Sequence, residues 1–321
     1  MQNDPSPAVE AERSNFLLRV TVATVVDHET AEVVNALRTE GIRSILLKGP
    51  AIAEWLYDDA FDRLYGDADL LVDPARLEDA RALVQRLGFT GGELEVSTYV
   101  PRTYAETWTR EATVELHRTL SGIAAPPEVA WSELARNTDR MEVGGTEVEV
   151  LPGVGKALVV ALHAAHHGAA VEPPLRDLRR AVERVPVDIW REAGALAERL
   201  DAAAAFGAGL RLVDGGSELA DRIGAGQSRS VEAELRAASA PNMAVMLTWL
   251  AHGQAAPRHK LVVMIRKLFP PLDWMRAASP LARRGRLGVA AAYAVRPITL
   301  LRRLPRAIGA LRRARRAVSD D

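Results

Sequence analysis

Two carboxylates, Asp67 and Asp69, lead into the apolar run Leu70-Leu71-Val72. They close a segment that opens with Ile45-Leu46-Leu47-Lys48-Gly49 and passes through the apolar-patterned stretch 51–57 and then Arg63-Leu64-Tyr65-Gly66. The layout reads as strand, glycine turn, helix, strand. Side chains two apart on a strand share a face, so Asp67 and Asp69 can converge on one divalent cation. A third acid, Glu115, stands inside another strand-like run, Thr113-Val114-Glu115-Leu116-His117. An acid pair on one strand and a third acid on another constrain the fold strongly, because the strands must be brought together for the charges to share an ion.

The surrounding pattern supplies both strands and helices. Residues 16–37 carry Phe16, Val20, Ala23, Val26, Val33, Val34 and Leu37 at helical spacing, which ends near Gly41. Residues 45–47 read as a short buried strand, and Pro50 suits the first turn of the next helix. Asp73-Pro74 starts a helix that Gly88 stops. Residues 96–100 and 113–116 read as further strands, and 141–150 as a hairpin turning at Gly144-Gly145. After Pro152-Gly153 the character changes, with helical patterns over 154–168, 175–185, 189–200, 202–212, 244–252 and 261–269. The expected class is α+β: a small mixed sheet with flanking helices in residues 1–150, an all-helical domain over 151–278, and a basic helical tail over 279–321. Pro297 and Pro305 are expected to interrupt that tail.

Composition narrows the chemistry. The chain has 321 residues, 48% of them hydrophobic, enough for a sizeable core. Cysteine is absent, which excludes disulfides, thiolate zinc sites and cysteine nucleophiles, so any metal must be held by carboxylates and histidines. The first fourteen residues are polar, with Pro5 and Pro7 and no apolar signal region. No apolar run reaches bilayer length, and a cytoplasmic location is expected.

Phosphoryl chemistry on a nucleoside triphosphate needs divalent ions to neutralise charge and activate an attacking oxygen, with two ions about 4 Å apart in two-metal sites. Magnesium keeps several waters, so one or two carboxylates per ion suffice. Asp67 and Asp69 then serve as shared ligands and Glu115 as third ligand or base. The Gly49 turn lets backbone N–H groups approach phosphates, with Lys48 and Arg63 as charge partners.

The stretches Leu46-Leu47-Lys48-Gly49-Pro50-Ala51 and Arg63-Leu64-Tyr65-Gly66-Asp67-Ala68-Asp69-Leu70-Leu71-Val72 resemble the uncharacterised nucleotidyltransferase family of the polymerase-beta-like superfamily. Val114-Glu115-Leu116-His117 is similar to that family's third-carboxylate strand, and the likeness continues loosely through 162–168 and 175–178. The resemblance implies a nucleotidyltransferase fold, magnesium or manganese, and a nucleoside triphosphate as co-substrate, ATP among the four. It does not name the acceptor. Relatives lie beside lasso-peptide and exopolysaccharide genes, which implies a peptide, glycan or small-molecule acceptor held by the helical domain. One departure is Pro50: the superfamily usually has Gly-Ser or Gly-Gly at the turn, and here one backbone N–H that would reach phosphate is missing.

Other candidates carry different weight. His163 and His167 lie one helical turn apart, a spacing that suits zinc, but Ala164 stands where a metalloprotease places its glutamate. These two, with His117 and Asp177, are candidates for lining an acceptor cleft. Gly153-Val154-Gly155-Lys156-Ala157 fails as a phosphate loop, since Val150 and Ala157 break both required positions. From Arg258 to Arg316 there are sixteen Lys and Arg against one acid, Asp273, so the net charge of -1 conceals an acidic body and a basic end. That end reads as a solvated amphipathic helix, as a contact for an acidic partner or the acidic body itself, or as a peripheral surface for an anionic membrane or RNA. Sparse aromatics there disfavour nucleic acid. Beside the enzyme, two other readings stand: a non-catalytic interaction partner that keeps the fold, and an RNA-modifying nucleotidyltransferase.

Overall fold

The computed structural model describes residues 7–92, 104–225, 229–252 and 257–319. The strand expected at 96–100 lies outside these. The chain begins with helix α1 (Pro7–Thr39), followed by β1 (Ser44–Leu46), α2 (Pro50–Leu56), β2 (Asp67–Val72), α3 (Leu77–Arg86) and β3 (Thr90–Gly91). Then come β4 (Ala105–Thr109), β5 (Thr113–His117), α4 (Pro127–Leu134), β6 (Asp139–Val143) and β7 (Thr146–Val150). All later described elements are helical: α5 (Gly153–His167), α6 (Glu172–Arg184), α7 (Val187–Arg199), α8 (Ala203–Leu210), α9 (Gly216–Arg222) and α10 (Val231–Ala237), then α11 (Asn242–His252), α12 (Pro257–Leu268), α13 (Leu272–Ala278) and α14 (Gly285–Ser319).

The strands form one mixed sheet in the order β3-β4-β5-β2-β1-β7-β6. β1 runs antiparallel to β2, while β2 pairs in parallel with β5, with Asp69 opposite Glu115. The hairpin is present as expected, with Gly144 and Gly145 at φ of 57° and 76°, the left-handed pair that a two-residue turn needs. β4, which the sequence pattern did not suggest, pairs with β5 on its far side. Its Glu106 and Thr107 break the apolar alternation that marks a strand in sequence.

Alternation along the central strands divides the core. Ala68, Leu70 and Val72 of β2, with Val114 and Leu116 of β5, pack in a cluster with Val33, Val34 and Leu37 of α1 and Leu83 and Val84 of α3. The opposite face sends Ile45, Leu47 and Leu71 into a second cluster with Leu158, Leu162, Leu178, Trp190 and Phe206 of the helical region. That second core crosses residue 151: helix α5 lies against the sheet and packs on α6, α7, α8 and α10. The odd-numbered positions of β2 and β5, Asp67, Asp69, Glu115 and His117, therefore point at α5. A smaller cluster joins Leu235, Met243, Ala244 and Val245 to Ala307, Ala310 and Ala314 of α14. That helix runs unbroken through Pro297 and Pro305, where interruptions were expected. Its last turns have tertiary partners, so packing outweighs the lost backbone hydrogen bonds.

Candidate active site

Gly49 caps α2 at φ 60° and ψ -126°, a conformation that only glycine adopts without strain. Pro50 follows as the first helical residue, where its missing N–H costs the helix nothing. The turn is braced from below. Arg63 Nη1 donates to the Gly49 carbonyl at 3.1 Å, and its Nε lies 3.1 and 2.9 Å from the two Asp177 oxygens. Tyr57 completes the brace by donating to Asp177 Oδ1 at 2.7 Å. Arg63 and Asp177 are both buried. Burial first, then the Asp177 carboxylate, push the Tyr57 phenol up to about 12, so it stays a donor. Arg63 and Asp177, expected at the triphosphate and the acceptor cleft respectively, hold each other and the turn, tying α2 to α6.

The acids sit above this turn. Asp69 is 1% exposed, with Lys48 Nζ at 2.6 Å and His117 Nε2 at 3.0 Å from its Oδ1. Glu115 Oε2 is 3.3 Å from the same imidazole nitrogen, and Thr107 Oγ1 donates to Glu115 Oε1 at 3.3 Å. Asp69, Glu115 and His117 each offer a ligand atom, and these atoms lie within 4.8 Å of one another. Asp67 is half-buried at the next position along the strand face and lines the cavity beside Lys48, Glu115 and His117. The compact donor set thus contains His117, which the sequence pattern placed only at the cleft.

Electrostatics follow from this crowding. Burial alone would raise the Asp69 carboxyl, but Lys48 and the hydrogen bond from His117 hold it well below the usual carboxylate range. Burial, and next the Asp69 charge, raise Asp67. His117 is also raised: burial would lower it, and its bonds to Asp69 and Glu115 prevail. Its Nδ1 faces the Thr119 carbonyl at 3.4 Å, so both nitrogens point at acceptors, as suits an imidazolium. Lys48 keeps its proton for the same reason, burial being outweighed by Asp69. The Asp69 carboxylate is compensated by the Lys48 ammonium and the His117 ring, a balance that a divalent ion could take over. Carboxylates suit magnesium and manganese alike, and His117 would give up its proton to join them as a ligand.

Across the cavity stands the last turn of α5. His163, His166 and His167 all line the cavity wall, with Leu120, Ser121 and Tyr104. Burial, and then the nearby Lys48 charge, drive the His163 pKa well down, so its imidazole is neutral. The His163 and His167 rings meet edge to face at 4.7 Å. Arg236 Nη1 reaches His166 Nδ1 at 3.2 Å, and Ser121 Oγ lies 2.6 Å from the same nitrogen. Arginine can only donate, so this nitrogen presents its lone pair and the ring proton sits on Nε2, 3.3 Å from the Tyr104 hydroxyl. Ser121, Tyr104 and Arg236 carry no motif that would have marked them in sequence.

A second cavity of about 450 Å³ shares Ser121, Leu162 and His166 with the first. Its wall is apolar at Ile123, Ala165, Ala205 and Val231, and Asp201, Ser230, Glu232, Arg236 and Thr248 supply polar groups.

Antibiotic-resistance factor ANT(2'')-Ia aligns with 57% of this chain and 94% of its own at 14% identity, with a TM-score of 0.40. An antigenic nucleotidyltransferase-like protein from Paracoccidioides brasiliensis aligns with 58% of this chain and 91% of its own at 14% identity, with a TM-score of 0.34. No curated protein matches the sequence. The profile of the uncharacterised nucleotidyltransferases matches residues 5–215, which include the glycine turn, the acids and the α5 histidines. The chain belongs to the uncharacterised nucleotidyltransferase family.

Proposed function

We propose that this nucleotidyltransferase moves a nucleoside monophosphate from a nucleoside triphosphate to an acceptor seated against the helical region, and that it depends on magnesium or manganese. The observation that carries the reading is the register of Asp69 opposite Glu115 on parallel strands, beside a cavity lined by Lys48, Asp67, Glu115 and His117. Asp69, Glu115 and His117 would hold the metal, with Asp67 beside them. When bound, the ion supplies positive charge to the triphosphate and lowers the pKa of an attacking hydroxyl.

The chain's own residues do the rest. An acceptor oxygen or nitrogen bonds to the α-phosphorus, the bond to the bridging oxygen breaks, and pyrophosphate leaves. The acceptor proton passes to Glu115, while the neutral imidazole of His163 lines the same cavity. Lys48, released from Asp69, follows the negative charge onto the phosphates. Pro50 leaves the Gly49 turn one donor short, so lysine and metal carry more of the phosphate contact here than backbone does. The 450 Å³ cavity is the acceptor pocket in this reading, because it adjoins the cavity of the acids and shares Ser121, Leu162 and His166 with it. Its apolar wall suits the body of a peptide, glycan or other small-molecule intermediate, as in lasso-peptide or exopolysaccharide assembly.

Calorimetry with ATP, GTP, CTP and UTP in the presence of magnesium or manganese tests the first half. Binding is expected for at least one nucleotide, lost with EDTA and in Asp69→Asn. Absence of binding by all four, with either ion, would favour the non-catalytic reading. One observation favours that alternative: Lys48 sits 2.6 Å from Asp69, where a metal would compete with it.

A further inference from the structure

Helix α12 is inside out for a protein that meets only water. It turns Lys267 inward, 7% exposed, and turns Leu261, Val262, Met264, Ile265 and the following Phe269 outward, each about half exposed. Helix α14 repeats the pattern. Leu287, Ala291, Ala294, Ile298 and Leu301 follow one another at alternating spacings of four and three residues, which places them in one stripe, and all five are exposed. Leu287 is 87% exposed. The opposite side of α14 meets α12. Arg296 Nε of α14 donates to the Lys267 carbonyl at 2.6 Å, and Tyr293 Oη donates to the Pro270 carbonyl at 2.5 Å. The Phe269 and Tyr293 rings stack at 6.4 Å.

We propose that the exposed stripe on the first half of α14 is a docking surface for an anionic lipid bilayer, on which the enzyme rests peripherally. Two independent features meet there. Scattered exposed apolar residues are ordinary, but a continuous stripe along one helix face marks a contact surface. The charge selects the partner: residues 283–306, which carry the stripe, hold seven arginines and no acid. An amphipathic surface with aliphatic residues below and basic residues beside them buries its apolar side to the depth of the headgroups. Anionic headgroups then attract the flanking guanidinium groups. No described helix is long and apolar enough to cross a membrane, so the contact lies on the surface rather than through it. A symmetric pairing of two copies through this face would set like charges against each other. RNA would leave the exposed leucines and isoleucine without a partner, since stacking needs aromatic rings.

Vesicle flotation of the full chain tests this. Partitioning is expected onto phosphatidylcholine vesicles containing a third phosphatidylglycerol, falling steeply between low and physiological salt, and absent on pure phosphatidylcholine. Leu287→Glu with Ile298→Glu and Leu301→Glu should lower partitioning at least tenfold while thermal stability and nucleotide binding hold. Neutralising Arg286, Arg302 and Arg306 to glutamine should lower it roughly a hundredfold, from the usual contribution of a basic residue near an anionic surface. Failure to float with anionic vesicles at low salt would overturn the proposal. So would flotation untouched by the glutamate variants, or tighter binding of the wild type to a poly(U) RNA than to the vesicles. A stable dimer in solution that the same glutamates dissolve, without vesicle binding, would assign the face to self-association instead.

Discussion

Asp69 is where the charges of this site are decided. Its folded-state pKa lies below the ordinary carboxylate value, so it stabilises the fold above about pH 4 and loses that contribution as the pH falls through the lower, folded value. His117 works in the opposite direction. Its pKa is raised in the fold, so its contribution is full below about 6.5 and is lost as the pH rises through the folded value. The metal-free protein should therefore show a melting temperature that declines on the alkaline side, and His117→Asn should flatten that decline. A wild-type profile that is level from pH 6 to 9 in EDTA would contradict this. A second test concerns Arg63 and Asp177, a buried pair in which each removes the other's charge penalty. Asp177→Leu alone should cost about 3–5 kcal/mol, because it strands the guanidinium, and Arg63→Met on top should recover part of the loss. Chemical denaturation of both variants measures it. These residues also mark how far the site was legible in sequence. The alternation through Asp67 and Asp69 and the strand around Glu115 put the acids on one face without any structure. Sequence spacing is silent on which side chains lie nearest across strands. The same alternation sets His117 beside Glu115, but its contact across to Asp69, and that of Arg63 with Asp177, are seen only in the fold.

Single elements translate these residues into shape. The Gly49 turn is bound to its sequence by conformation rather than space, since the nearest atoms to an added Cβ would lie at an ordinary 3.6 Å. Gly49→Ala should therefore fold with a loss of about 1–3 kcal/mol from backbone strain, and weaken nucleotide binding more than it lowers stability. Thermal melts beside nucleotide titrations separate the two. Helix α14 gives the opposite lesson. Its prolines read as interruptions in sequence because each removes an intrahelical hydrogen bond, about 3 kcal/mol in an isolated helix. The helix persists through them because Ala307, Ala310 and Ala314 bury against α10 and α11. Tertiary packing of that kind is invisible to local pattern, as was the short strand β4 between β3 and β5. The exposed Pro305 should then be a liability, and Pro305→Ala should raise the melting temperature of the helical end, read by circular dichroism.

At the scale of the whole molecule, the parts depend on one another unequally. The sheet's second face is covered by α5 and its neighbours, with Ile45, Leu47 and Leu71 in one apolar cluster with Leu158, Leu178 and Trp190. Cutting near residue 151 would leave that face in water, so the strand-bearing half should not fold alone. The basic end is attached differently. Its own clusters, around Leu235 with Ala310 and around Met275 with Ala292, are separate from those that hold the acids in place. Deletion of residues 279–321 should consequently uncover Leu235, Met243 and Val245 and lower the stability of α10 and α11, while the Asp69–Glu115 register survives. The expected result is nucleotide binding within a few-fold of wild type and an added low-temperature melting transition. Because α10 also carries Arg236, which holds His166 between the two cavities, transfer to an acceptor should suffer more than nucleotide binding does. Isothermal titration with nucleotide and scanning calorimetry on the truncated chain measure both sides. A truncation that melted in one unchanged transition would mean that α14 adds nothing to the body it packs against.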